Sequence, residues 1–236
     1  MGSGEGAVRA VLLDVGGVFF LPDPEHVVGA CSRGGVEVDP ATLPRAHYEG
    51  ASCFHVDYEG ELPWNELWEE YLDSYMAGMG VPRESRPEVK EHLEAEFATA
   101  ALWCWEIPGA LDGLRALAAT GVKLGIVSNA DGLIGERLRE GEILQVGPGP
   151  GIEVATLIDS GAVGVNKPDP RIFQIALDAL DLAADQVLYV GDMPGIDVVG
   201  ARAAGIKPLL MDPFALHVDA DYDRVASLAE VAALVT

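Results

Sequence analysis

The sequence predicts an α/β protein with a Rossmann-like parallel sheet core, helices on both faces and an inserted helical cap. Three observations carry this. From residue 105 onward, short apolar runs alternate with amphipathic stretches, and strands that are apolar throughout indicate a parallel sheet covered on both sides. Residues 22 to 104 hold long runs of helical spacing and no strand of comparable strength. A lone apolar run, VLLD, ends at Asp14 before that region begins, so the first strand stands apart in sequence from the rest of its sheet. The expected organisation is a core of residues 7–21 and 105–236 with a cap over 22–104.

In chain order, MGSGEG reads as a flexible end rather than a signal peptide, having no apolar segment. The cap region carries WNELWEEYLDSYMAGMG and PEVKEHLEAEFATAALW, both helical in spacing, and three of the four tryptophans, Trp64, Trp68 and Trp103. GALDGLRALAATG then predicts a helix stopped at Gly121, followed by the strand KLGIV. GPGPG, residues 147–151, is a surface turn cluster. Asp169 and Pro170 form an N-cap and first-turn pair for the helix PRIFQIALDAL. QVLYV is a strand, IDVVGARAAG a helix closing at Gly205, KPLLM a strand and SLAEVAALV a terminal helix.

Composition narrows the function. The chain has 236 residues, enough for one large domain or a core with an insert. Fifteen Lys and Arg face 38 Asp and Glu, a formal net charge of -23. That argues against nucleic-acid and anionic-membrane surfaces, which need clustered cations, but not against a small phosphorylated substrate met by a local positive pocket. No apolar run reaches membrane-spanning length. Cys31, Cys53 and Cys104 are odd in number and lack CxxC spacing; they read as reduced, mostly buried thiols in a cytoplasmic protein. Nothing in the sequence speaks to oligomeric state.

Three strands end in a polar residue followed by small or turn-forming ones: LLD-VGG at Asp14, GIVS-NAD at Ser128 and LYVG-D at Asp192. Ligands collect at the carboxyl ends of parallel strands, so neighbouring strands would bring these groups to one crevice. Taken singly each is ordinary, since a strand-end Asp is usually a turn former and a Lys before Pro, such as Lys167, is usually solvated. Their order and spacing together resemble the haloacid dehalogenase-like (HAD) hydrolase superfamily, subfamily I with a C1-type helical cap. VLLDVGGV stands where that family has Asp-x-Asp-Gly-Thr/Val, IVSN supplies its strand-end Ser, NKPDPRIF its Lys, and VGDMPGIDVVGARAAG its Gly-Asp and further acid. The resemblance covers residues 8 to 21 and 105 to 212.

The resemblance implies a Mg²⁺-dependent phosphatase of a small phosphorylated metabolite. In it Asp14 attacks phosphorus and forms an aspartyl-phosphate, with Ser128 and Lys167 as its catalytic partners. Ser128, Asn129 and Lys167 bind phosphate, and backbone N–H groups freed by Gly16 and Gly17 add to the cradle. Asp14, the Gly16 carbonyl, Asp192 and Asp197 hold the metal, in keeping with a hard cation that takes oxygen ligands. One position departs from the pattern: Gly16 stands where the phosphatases carry a general acid, whose help is typically worth about 10²–10⁴-fold in rate. A good leaving group, a cap residue (His47, His55 or Glu49) or loss of turnover would each accommodate the glycine. A 2-haloacid dehalogenase, which also lacks that acid, and a non-catalytic phosphate-binding relative are the alternatives. Arg33, Arg45, His47, Tyr48, His55 and the tryptophans are candidates for substrate contact.

Overall fold

The computed structural model describes residues 7–55, 64–98 and 102–236. MGSGEG and the end of the second long cap run, residues 99–101, lie outside them. Within this range six strands form one parallel sheet in the order β10-β9-β8-β1-β4-β7. They are β1 (Ala10–Leu13), β4 (Lys123–Ser128), β7 (Thr156–Asp159), β8 (Val187–Gly191), β9 (Lys207–Met211) and β10 (Asp223–Val225). The α/β sheet expected from the sequence is therefore present, with β7 and β10 as edge strands that the pattern did not reveal.

Alternation along β1 decides what each face buries. Val11 and Leu13 join Leu124, Ile126, Leu188 and Val190 on one side, under α5 (Ala110–Ala119) and α10 (Leu228–Leu234). Ala10, Leu12, Val187 and Tyr189 face the other, under α8 (Pro170–Leu180) and α9 (Val199–Ala203). Leu12 and Leu13 are wholly buried, each worth roughly 1.5–3 kcal/mol. The helix starts are local: the Asp169 carboxylate accepts the Arg171 N–H ahead of Pro170, and Ser227 Oγ accepts the Glu230 N–H. Between β4 and β7 lie α6 (Ile134–Glu140) and the short strands β5 (Leu144–Val146) and β6 (Ile152–Val154), joined through GPGPG. The turn α7 (Ser160–Val163) follows β7.

The inserted region is helical: α1 (Pro24–Arg33), α2 (Leu43–Ala51), α3 (Trp64–Gly78) and α4 (Arg86–Phe97). It has its own core of Val27, Leu43, Phe54, Leu67, Tyr71, Leu72, Tyr75 and Leu93. Trp103 corrects an expectation. It does not end a helix but opens β3 (Trp103–Glu106), which pairs antiparallel with β2 (Phe20–Pro22). This ribbon straddles both expected domain boundaries, Phe20 opposite Glu106 and Pro22 opposite Trp103. The three cysteines are free, Cys31 buried and Cys104 exposed, so the last departs from the expectation of mostly buried thiols. Among the described residues no helix is long and apolar enough to cross a membrane.

Candidate active site

Sheet register assembles the site. β1 lies between β8 and β4, with Leu13 opposite Val190 on one side and Ile126 on the other. The residues that follow on each strand, Asp14, Asp192 and Ser128, therefore emerge at one carboxyl edge, where parallel sheets place their ligands. The chain must turn sharply after Asp14. Gly17 takes a φ of 64°, and a Cβ on it would sit 2.2 Å from the Asp192 carboxylate carbon. Its N–H donates to the Phe20 carbonyl at 2.9 Å, so this group, expected to help cradle phosphate, is already engaged.

Lys167 is the electrostatic centre. A Lys before Pro is ordinarily exposed, yet this side chain is 1% exposed. Its ammonium reaches Asp14 Oδ2 at 2.8 Å, Asp197 Oδ1 at 2.7 Å and the Tyr189 hydroxyl at 2.7 Å. Burial alone would depress its proton affinity; the Asp14 and Asp197 carboxylates more than offset that, and the ammonium stays charged. Asn129, expected to bind phosphate, lines the cavity, and its side chain clamps the Lys167 backbone. Its Oδ1 accepts the Lys167 N–H at 2.8 Å and its Nδ2 donates to the Lys167 carbonyl at 3.1 Å. Ser128 is buried and lines the cavity above Asp14.

Three acids crowd this lysine. One carboxylate oxygen from each of Asp14, Asp192 and Asp197 lies within 4.8 Å of the others. Burial, with the Asp197 and Asp192 charges working against the Lys167 attraction, pushes the Asp14 carboxyl up to about 6. Its Oδ1 is buried and has no hydrogen-bond partner. Asp192 is also raised, by burial first, against a hydrogen bond from His47. Asp197 is occupied differently. Its Oδ1 accepts from Lys167 and the Tyr189 hydroxyl, and its Oδ2 accepts the Asp192 and Met193 N–H groups at 3.0 and 2.9 Å. Four donors fill the roughly four lone-pair positions of a carboxylate. A turn of π-helix over Pro194–Val198 aims Asp197 back at its own loop.

The cap contributes to this edge from α2. His47, fully buried, places Nε2 2.9 Å from Asp192 Oδ2 and Nδ1 3.0 Å from the Tyr71 hydroxyl. Tyr48 donates to the Gly17 carbonyl at 2.8 Å. Of the three cap groups considered as proton donors none lines the cavity: His47 is turned to Asp192, Glu49 pairs with Arg45, and His55 is exposed. Arg33, a candidate for substrate contact, pairs with Glu96 instead. Tyr189 was not readable as a site residue, whereas Tyr48 and Trp103 were readable only as candidates for substrate contact. Tyr189 is simply an aromatic in an apolar strand, and Trp103 is placed by the β2–β3 ribbon. Its ring lies over Gly16, and a Cβ on Gly16 would be 3.3 Å from it. Indole presses on the place from which a second acid would project.

A cavity of about 380 Å³ opens above Asp14, within the size range of small-molecule sites. Its polar floor is Asp14, Ser128, Lys167 and Asp192, and its walls include Phe54, Trp68, Phe97 and Trp103.

Comparison with known proteins identifies the family. The family model described as haloacid dehalogenase-like hydrolase matches residues 8–205, and the chain belongs to that hydrolase family. It is 36% identical over 130 residues to phosphoglycolate phosphatase of Rhodospirillum rubrum, covering 52% of this chain and 51% of that protein. It is 43% identical over 67 residues to phosphoserine phosphatase of Thermus thermophilus, covering 28% and 27%. The matched stretches thus span about a half and about a quarter of those two phosphatases. A human protein named haloacid dehalogenase-like hydrolase domain-containing protein 3 is 29% identical over 184 residues, covering 75% and 70%. Among solved structures, the magnesium-bound putative HAD-hydrolase YfnB of Bacillus subtilis is similar in fold, with a TM-score of 0.61 at 16% identity, covering 98% and 99%. A 2-haloacid dehalogenase of Pseudomonas syringae gives 0.54 at 20%, covering 95% and 96%.

Proposed function

We propose that the protein hydrolyses a small phosphate ester through an aspartyl-phosphate on Asp14, assisted by Mg²⁺. The observation that carries this is the state of Asp14: one oxygen held by buried Lys167, the other buried without a partner, both at the floor of a small-molecule cavity. A carboxylate oriented by a cation and backed by two further acids is suited to attack an electrophile it can reach. The phosphatases among the relatives support phosphorus as that electrophile.

The residues present fit a divalent cation. Two buried carboxylates and a third, partly buried one face one ammonium, and buried charge without compensation is costly. The unpartnered Asp14 Oδ1 and an oxygen of Asp192 would be two ligand atoms, with the Gly16 carbonyl as the third in this reading. Asp197, expected as a ligand, has its lone pairs filled; its role in this reading is to hold Lys167 and the Asp192 loop in place. When bound, Mg²⁺ supplies the positive charge that lets a phosphate dianion approach carboxylates.

Asp14 attacks phosphorus, and the bond to the leaving oxygen breaks with its electron pair departing on that oxygen. Ser128 donates to a phosphoryl oxygen, while Lys167 keeps Asp14 ionised and neutralises charge as it develops. Water then attacks the same phosphorus, the Asp14–phosphorus bond breaks, and the carboxylate is regenerated as phosphate leaves. No side chain stands at Gly16 to protonate the leaving oxygen. The free cysteines support a cytoplasmic setting.

A phosphate-release assay on a panel of small phosphate esters tests the proposal. Release that requires Mg²⁺ and is stopped by EDTA is expected; release indifferent to EDTA contradicts it. Gly16 and the apolar cavity walls also suit a 2-haloacid dehalogenase, in which the same carboxylate attacks carbon. Halide release from 2-chloropropionate without metal would establish that second reading.

A further inference from the structure

The cavity above Asp14 selects for the leaving group, and its walls specify what kind. Phe54, Trp68, Phe97, Trp103, Met193 and Ile196 line it. The aromatic rings are fixed against one another before any ligand arrives. Trp68 stacks on Tyr71 at 5.0 Å, Phe97 stands edge-on to Trp68 at 5.1 Å, and Trp103 meets Phe97 at 6.1 Å. A preformed aromatic wall binds a flat ring without paying for side-chain ordering.

The charges point the same way. Among the described residues Lys167 and Arg137 are the only Lys or Arg lining the cavity. Lys167 is engaged by Asp14 and Asp197. Arg137 forms a two-pronged pair with Asp131 at 2.8 and 2.7 Å. A substrate bearing a carboxylate beside its phosphate would find no free cation there and would face Asp131, Asp14 and Asp192.

Gly16 and Trp103 supply the third constraint. With indole over the glycine, no acid among the described residues stands at that position to protonate a departing alkoxide. An alkyl alcohol is a far weaker acid than a phenol and leaves poorly without such help, whereas a phenol, about 10, leaves readily. We propose that the substrate is an aryl phosphate: an uncharged, planar, phenol-type leaving group seated against Trp68, Phe97 and Trp103, with its phosphate on Asp14. This rests on the phosphatase reading above and deepens it. The phosphorus–oxygen bond breaks toward the phenolate, which takes its proton from water, so no other reactant is needed.

The test uses the full-length protein with Mg²⁺ and compares kcat/KM across three kinds of probe. Phenyl phosphate is expected to exceed phosphoglycolate and glycerol 3-phosphate by 100-fold or more, and rates across substituted phenyl phosphates fall steeply as the phenol becomes less acidic. Acetyl phosphate separates the ring from the leaving ability: it departs more easily than 4-nitrophenol yet has no ring, and is expected to be at least tenfold poorer. Alkyl phosphates within tenfold of phenyl phosphate would overturn the inference while leaving the phosphatase reading intact. Acetyl phosphate matching the aryl series would overturn the ring seat. No release from any probe would overturn both readings.

Discussion

Placing the missing acid back at Gly16 is the most informative perturbation, because its outcome depends on Trp103. Gly16 does not have a left-handed φ, so its backbone accepts a side chain. The obstacle is the indole ring, 3.3 Å from where the first side-chain carbon would stand. A carboxylate beyond that carbon would run into the ring, and Gly16→Asp alone is expected to give no gain on alkyl phosphates and a less stable protein. Trp103→Ala clears the space. It costs about 2 kcal/mol, roughly half the value for a fully buried large aromatic, since Trp103 is only partly buried. In the double variant the acid has room. Proton donation is worth about 10²–10⁴-fold, or about 3–5 kcal/mol of barrier at 1.36 kcal/mol per tenfold. Turnover of glycerol 3-phosphate by Gly16→Asp/Trp103→Ala should therefore exceed that of Trp103→Ala by 100-fold, with urea unfolding confirming that both variants are folded. A gain of that size from Gly16→Asp with Trp103 intact would refute the claim that indole excludes the acid.

Three further outcomes are expected. Asp14 holds its proton more tightly folded, at about 6, than at the ordinary 3.8, so the stability it contributes is present below about pH 4 and lost as pH rises through 6. At 1.36 kcal/mol per pH unit this is on the order of 3 kcal/mol. Urea unfolding of the metal-free protein from pH 4 to 8 should show the decline, and Asp14→Asn should flatten it; an unchanged slope counts against the buried-acid description. Lys167→Met leaves the carboxylates unpaired and should cost about 3–5 kcal/mol in the same assay, where a loss under 1 kcal/mol would mean the ion cluster is not buried as described. His47→Leu removes the partner of Asp192 Oδ2 and should weaken Mg²⁺ binding by about 10- to 100-fold in calorimetry; unaltered affinity would show that His47 does not orient Asp192.

Much of this arrangement was legible because it is local to strand ends. Asp14, Ser128 and Asp192 each follow an apolar run, and a parallel register alone brings them together. The α8 cap at Asp169 was equally readable, being set by neighbours in sequence. What stayed hidden depends on contacts across the fold. TLID and DRV are too short for periodicity to mark as β7 and β10. His47 and Tyr48 sit on a helix whose pattern says only that one face is buried, not that this face meets Asp192 and Gly17. Asn129 is a polar residue after a strand whichever partner it takes, and only the fold shows that it grips the Lys167 backbone. Gly16 is the sharpest case. The sequence shows an absent acid, and the structure shows why the place is not empty.

The central claim, that Asp14 carries the phosphoryl group, is tested most directly by trapping it. Rapid acid quenching of the Mg²⁺-loaded protein during turnover of 4-nitrophenyl phosphate, followed by intact-protein and peptide mass spectrometry, should show one added phosphoryl group on the peptide containing Asp14. The adduct should be absent from Asp14→Asn. Turnover with no phosphoryl adduct at any quench time, or an adduct that persists in Asp14→Asn, would contradict it.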